Sequence, residues 1–245
     1  MKKVYFSLKS KEKKINKTFN HISKKYDIIN KILSLGLDFF WRKKSIFLLS
    51  QIKNRKIQKI LDIATGTGTF AILLANQFNK AKIIGLDPSI QMIKIAKNKI
   101  ENNYLKKKIK FIKGYSQNLP FEDNTFDLAT VSFGLRNFQY IHISIKEIFR
   151  ILKPFGYLEI LEFSYPSNSL IKKVYNFYSN VVISNLGGFL SNNYFAYNYL
   201  KESIKNFSFN GNKMKKLLNY HNFDVFCIKK LTFEVVSIYL SRKNT

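Results

Sequence analysis

The chain has 245 residues, 46 % of them apolar, enough for one large α/β domain with a full core. Basic residues outnumber acidic ones 42 to 15, a net charge of +27, yet only five of the 42 are Arg. Charge carried by Lys, in a chain also rich in Asn, Ile, Phe and Tyr, reads first as the surface of an A/T-rich gene. Attraction to an anionic membrane comes second. It argues against nucleic acid, whose readers favour the bidentate Arg fork.

Cys227 is the single cysteine, so an intrachain disulfide is excluded. The start, MKKVYFSLKSKEKK, lacks an apolar stretch of signal-peptide length, and no run is long and uncharged enough to span a bilayer. The expectation is a cytoplasmic protein, soluble or peripheral to the inner face of the membrane.

Residues 1–18 read as a basic, mobile arm, and 19–245 as one domain. Its first part, 19–56, is a helical cover: Ile28, Ile29, Ile32 and Leu33 recur at three- and four-residue steps, Gly36 interrupts, and a second helix carries Phe39 to Leu48. Aromatic and Lys residues interleave here, as on helices that touch a membrane surface.

An apolar run from Ile57 to Ile63 carries Asp62 and leads into Gly66-Thr67-Gly68, after which Phe70 opens a helical pattern. Strand, glycine turn and helix start form the unit that offers backbone N–H groups to a nucleotide-like ligand. A second buried strand, Ala81 to Leu86, ends at Asp87, and Pro88 starts a helix. Strands follow at Ile109 to Lys113, Phe126 to Phe133 and Tyr157 to Phe163, with a helix over His142 to Lys153 stopped by Pro154-Phe155-Gly156. Residues 164–210, rich in Tyr, Phe, Asn and Ser, read as an inserted aromatic cover. A helix over Gly211 to Asn222 precedes a hairpin of Val225 to Ile228 and Phe233 to Leu240. Such an order gives an α/β sheet with an antiparallel edge.

Two ligands compete for the glycine turn. Gly66-x-Gly68-x-x-Ala71 fits a dinucleotide, and Asp87 lies at the spacing of a ribose-binding acid. S-adenosylmethionine could use the same Asp87, and its zwitterionic end needs a carboxylate such as Asp62. A dinucleotide enzyme carries a second mononucleotide half, whereas this chain turns into an aromatic cover and a hairpin. Architecture favours the methyl donor.

With YDIIN (Tyr26 to Asn30), SLGLDFFWRK (Ser34 to Lys43), DIATGTG, LPFEDNTFD (Leu119 to Asp127), VSFGLRN (Val131 to Asn137) and RILKPFGYLEILEFSYP (Arg150 to Pro166), the chain resembles the ubiquinone/menaquinone biosynthesis C-methyltransferase family. The resemblance runs from Phe19 to Lys243. It implies a class I, Rossmann-like methyltransferase: a seven-stranded, mostly parallel sheet with an antiparallel C-terminal hairpin and a helical cover. It further implies S-adenosylmethionine as methyl donor, no metal, and a prenylated demethylmenaquinol as acceptor. A ubiquinone precursor, another small molecule or a non-catalytic binding role stay as alternatives.

The cofactor contacts implied are Thr67, Asp87, the pair Tyr115-Ser116 and Ser132, beside Asp62, Gly66 and Gly68 of the turn. Departures are Tyr115 for Asp or Asn, Gln117 for Glu, Thr69 for Asp, and Phe155 for the first glycine of a KPGG turn. His21, His142 and His221 sit in no paired motif and read as structural. Arg136 and Asn137, just past the fourth strand, lie where α/β sheets bind ligands. Arg136 is expected to steady a phenolate and Asn137 to orient the ring. Tyr26 and Asn30 are candidates to close the pocket.

Overall fold

The computed structural model describes residues 15–52, 56–178 and 194–244. Most of the expected arm, residues 1–14, lies outside these, as does 179–193 of the expected aromatic cover. Residues 15–18 belong to a helical segment, 15–22, rather than to an arm.

The N-terminal cover continues through a short 3-10 turn, Ser23–Lys25, into α1 (Tyr26–Leu33) and α2 (Leu37–Ser50). Leu35 (φ 52) and Gly36 (φ 77) both take the left-handed conformation between them, which is why the break falls at the glycine. The sheet and its helices then alternate: β1 (Lys59–Ile63), α3 (Thr69–Gln77), β2 (Lys82–Asp87), α4 (Ile90–Ile100), β3 (Ile109–Lys113), β4 (Phe126–Ser132), α5 (Ile141–Ile151) and β5 (Leu152–Phe163). Helices α6 (Ser169–Tyr178), α7 (Tyr194–Asn206) and α8 (Asn212–Tyr220) follow, then β6 (Phe223–Leu231) and β7 (Val236–Lys243).

The seven strands lie in the order β3-β2-β1-β4-β5-β7-β6. Strands β1 to β5 are parallel, and β7 runs antiparallel between β5 and β6. Neighbouring residues of β1 feed opposite faces. Ile60 packs with Phe70, Leu74 and Ile93 of α3 and α4, while Leu61 packs with Ile145 and Ile148 of α5 and Met214 of α8. A sheet covered on both faces buries its central strands throughout, and in β4 every residue from Phe126 to Val131 is buried.

Several expected boundaries move. Helix α4 starts at Ile90 rather than at Pro88, because the Ser89 hydroxyl accepts from the Met92 N–H at 3.2 Å and caps it. Strand β5 begins at Leu152, paired with Phe126, so the Pro154-Phe155-Gly156 turn is an irregularity within the strand, and the preceding helix stops at Ile151. The hairpin is longer than expected, and its turn puts Thr232, Phe233 and Glu234 in positive φ one after another. Asp127, polar in an apolar strand, accepts from the Gln58 and Lys59 N–H groups (3.0 and 2.9 Å) and from Lys153 Nζ (2.7 Å), which anchors the start of β1.

Candidate active site

The order of strands reverses between β1 and β4, and the glycine turn leaves β1 at that point. Ala64 (φ 56), Gly66 (φ 55) and Gly68 (φ 78) bend the chain, and Gly68 N–H closes the turn on Thr65 C=O at 3.0 Å. A Cβ on Gly68 would stand 2.6 Å from the Phe111 ring, so only glycine fits. A Cβ on Gly66 would meet nothing within 4 Å; it would project into open space at the cavity wall.

Two buried carboxylates flank the turn. Asp62 accepts from Thr65 Oγ1 (2.6 Å) and from Thr130 Oγ1 of the next strand (2.8 Å). Asp87 accepts from Gly66 N–H (2.9 Å) and from Ser89 N–H (2.8 Å). Burial raises both to about 6, against the hydroxyl and amide donors that favour the charged form. A site that holds two carboxylates at the edge of ionisation suits a ligand bringing positive charge and hydroxyls.

Both acids line one cavity of about 120 Å³, together with Gly66, Thr67, Tyr115, Ser116 and Ser132. A second cavity of about 300 Å³ adjoins it, lined by Asn30, Trp41, Phe163, Tyr175, Tyr178, Tyr199 and other largely apolar groups. Phe19, Tyr26, Arg42, Phe133 and Asn137 belong to both, so the two cavities meet at these five side chains. Phe133 there holds a positive φ of 57°, pinned by Phe163 (ring centroids 4.7 Å apart) and Trp41 (6.0 Å).

The expected site residues thus come together, in different ways. The Thr67 hydroxyl turns to Asp27 of the cover (2.7 Å), which also binds Lys99. Ser116 turns its hydroxyl from the cavity to Ser144 of α5, at 2.8 Å. Ser132 receives Arg42 Nη1 at 3.2 Å. Tyr26 is half-buried and hydrogen-bonded to Asn30; desolvation pushes its phenol up, while Arg136 and Arg42 pull it down. Asn137 Oδ1 accepts from Tyr199 Oη at 2.9 Å. His142 and His221 meet each other at 3.0 Å, away from both cavities.

Arg136 is not a free cation. Its Nη1 binds Glu162 at 2.6 Å and Phe133 C=O at 2.7 Å, and its N–H binds Glu162 at 3.1 Å. Both side chains of the pair are almost fully buried. Burial opposes the Arg136 charge, but the Glu162 carboxylate outweighs that and holds the guanidinium pKa above its ordinary value.

Sequence reasoning gave no role to Asp27, Arg42 or Glu162, although all three lie inside the segments that carry the resemblance. Glu159, fully buried in β5, takes a hydrogen bond from Ser45, and burial pushes it to about 8. Among the described residues no three His, Cys, Asp or Glu side chains gather as a metal site.

The residues fit an adenosyl sulfonium: the opening at Gly66 admits backbone-close contact, Asp87 can accept from a diol, and Asp62 can meet an ammonium. Comparison with known proteins agrees. Residues 7–243 match the ubiE/COQ5 methyltransferase family. The demethylmenaquinone methyltransferase of Bacteroides fragilis is 36 % identical over 98 % of this chain and 97 % of its own. The ubiquinone/menaquinone biosynthesis C-methyltransferase UbiE of Wigglesworthia glossinidia brevipalpis is 42 % identical over 82 % of this chain and 80 % of its own. Among solved structures, a SAM-dependent methyltransferase from Aquifex aeolicus superposes with a TM-score of 0.58 at 17 % identity, over 88 % of this chain and 97 % of that one, a likeness of fold. With a match across nearly its whole length and relatives this similar, the chain belongs to the ubiE/COQ5 methyltransferase family.

Proposed function

We propose that this protein transfers a methyl group from S-adenosylmethionine to a ring carbon of a prenylated demethylmenaquinol. The observation that carries this reading is the junction of a polar cavity bearing two carboxylates with a larger apolar one. The first suits the adenosyl group, with Asp87, Gly66, Tyr115 and Ser116 around it and Asp62 and Ser132 nearer the junction. The second suits a ring with a greasy tail, which aromatic walls bury at about 25 cal/mol per Å² of apolar surface.

Once bound, the cofactor supplies a methyl carbon: the ring carbon bonds to it as the methyl–sulfur bond breaks, the electron pair stays on sulfur, and the ring releases a proton. The chain contributes alignment and the exclusion of water. Tyr26 and Asn137, at the junction, are placed to hydrogen-bond the ring oxygens, and Tyr199 fixes which way the Asn137 amide points. Arg136 is a positioning residue in this reading. Through Glu162 it locks the loop that carries Asn137, and its charge reaches Tyr26.

The mouth of the larger cavity supports contact with a bilayer, where such an acceptor resides. Leu35, Val174 and Phe233 on its rim are 76 %, 68 % and 75 % exposed. On α2, Lys43 lies over Phe39 and Lys44 over Phe47, at 4.6 and 4.8 Å, the pairing of apolar surface and cation that suits an anionic interface. Among the described residues no helix is long and apolar enough to cross a membrane.

The deciding experiment incubates the protein with methyl-labelled S-adenosylmethionine and either a demethylmenaquinol or the corresponding ubiquinone precursor. Label in the first supports the reading. Label in the second alone would replace it with the ubiquinone branch, which the name of the Wigglesworthia relative includes. Label in neither would refute both.

A further inference from the structure

Arg42 has a charge that the surrounding protein leaves unanswered. Among the described residues, Arg136 pairs with Glu162 at 2.6 Å and Arg150 with Glu147 and Asp123 at 2.8 Å, while Arg42 pairs with no carboxylate. Its Nη1 donates to the Ser132 hydroxyl at 3.2 Å, its guanidinium lies 5.0 Å from the Phe133 ring centroid, and its Nε is buried with no partner at all. A half-buried guanidinium whose buried Nε is idle is costly unless something else meets it.

Asp62 lines the same cavity and feels the charge of Arg42, yet the two do not touch. Three N–H groups of the glycine turn are already taken and leave little there for an incoming anion. Gly66 N–H is spent on Asp87, Gly68 N–H on Thr65 and Thr65 N–H on Leu86. Nor are the neighbouring charges available: Asp27 is held by Thr67 and Lys99, Arg136 by Glu162, and Glu159 by Ser45.

We infer that Arg42 and Asp62 form a clamp for an α-amino-acid zwitterion, Arg42 receiving the carboxylate and Asp62 the ammonium of the cofactor's methionyl end. This rests on the cofactor assignment and adds to it the group that reads that end. It also ties the N-terminal cover to cofactor binding, because Arg42 sits on α2 and walls the acceptor cavity with its other side. A cofactor carboxylate held by Arg42 fixes a side chain that the acceptor meets.

The test is calorimetry with two ligands, S-adenosylhomocysteine and 5′-methylthioadenosine, the second lacking the amino-acid end. Loss of a charge-assisted pair is worth about 10- to 100-fold in affinity. Arg42→Met should therefore lose about that much for S-adenosylhomocysteine and nothing beyond twofold for methylthioadenosine. Arg42→Lys, which keeps the charge without the fork, should lose less, again on the first ligand alone; it decides the matter if the Met variant does not fold. Equal losses on both ligands, or no loss on the first, would overturn the clamp. A wild-type protein that bound neither would overturn the cofactor assignment along with it.

Discussion

The Thr67 hydroxyl in the glycine turn donates to Asp27 Oδ1, 40 positions earlier in the chain, at 2.7 Å. The cover is thereby fastened to the cofactor turn, and Lys99 completes the corner by binding Asp27 at 2.6 Å and Thr69 at 3.1 Å. The family pattern has an acid at position 69; here the acid at this corner is Asp27. Because Asp27 is partly exposed, the contact is worth only about 1 kcal/mol. Asp27→Ala and Thr67→Val should each lower stability by about that amount, and the double variant by little more than either. Denaturant titration of the four proteins measures the coupling; strictly additive losses would show that the contact is idle.

Cofactor binding should depend on pH through Asp62 and Asp87. Both have folded pKa values near 6, above the ordinary carboxylate value of 3.8, with burial the main cause. In the ligand-free protein their contribution to stability is fully present below pH 3.8 and is lost as pH rises through 6, because the folded state holds these protons more tightly than the unfolded chain. A cationic ligand reverses the preference, since it favours the ionised form. Affinity for S-adenosylmethionine should rise between pH 5 and 7 and then level off, with protons released on binding at pH 5.5. Calorimetry in buffers of different ionisation enthalpy reads that release; an affinity flat from pH 5 to 8 would contradict it.

The buried pair of Arg136 and Glu162 predicts an asymmetry. Removing one member strands a charge in a site almost closed to water, at a cost of about 3–5 kcal/mol, whereas replacing both with apolar groups of similar size is close to neutral. Glu162→Gln should therefore be strongly destabilised, and Arg136→Met with Glu162→Met much less so. The double variant also asks whether the Arg136 charge is used in turnover. A folded double variant with normal kcat would reduce Arg136 to a holder of its loop. A loss of 100-fold or more with unchanged cofactor affinity would restore a direct part in methyl transfer.

How far the molecule was legible in its sequence follows from what is local. Strands β1 and β4 stand out because a sheet covered on both faces needs mostly apolar runs, and Ile60 to Ile63 and Phe126 to Val131 are such runs, broken only by Asp62 in the first and by Asp127 and Thr130 in the second. The start of β5 did not, since Pro154 and Gly156 are ordinarily signs of a strand's absence, and here they shape an irregularity inside one. Lys229 and Lys230 likewise hid the end of β6, an edge strand that tolerates them. Asp62 and Asp87 could be named from spacing alone, as they lie on consecutive strands beside the turn. Arg42 and Glu162 could not. Arg42 reaches its partner across 90 positions and Glu162 across 26, and no periodicity records which side chain answers which charge.

Phe155 is at odds with its backbone: it holds a φ of 59° in a turn where the family pattern has glycine. A left-handed conformation costs an L-residue roughly 1–2 kcal/mol. The ring recovers little of it, being half exposed and 5.8 Å from the Arg242 guanidinium carbon. The next residue could not relieve the turn instead, because a Cβ on Gly156 would come within 2.8 Å of Lys153 C=O. Phe155→Gly gives up some unfolded-chain entropy, about 0.5–1 kcal/mol, and gains the rest. The variant should be more stable by about 0.5–1 kcal/mol, with kcat unchanged, since position 155 lines neither cavity. Urea denaturation at fixed pH measures the difference, and a midpoint at or below that of the wild type would mean that the Phe155 ring stabilises the turn by more than its exposure implies.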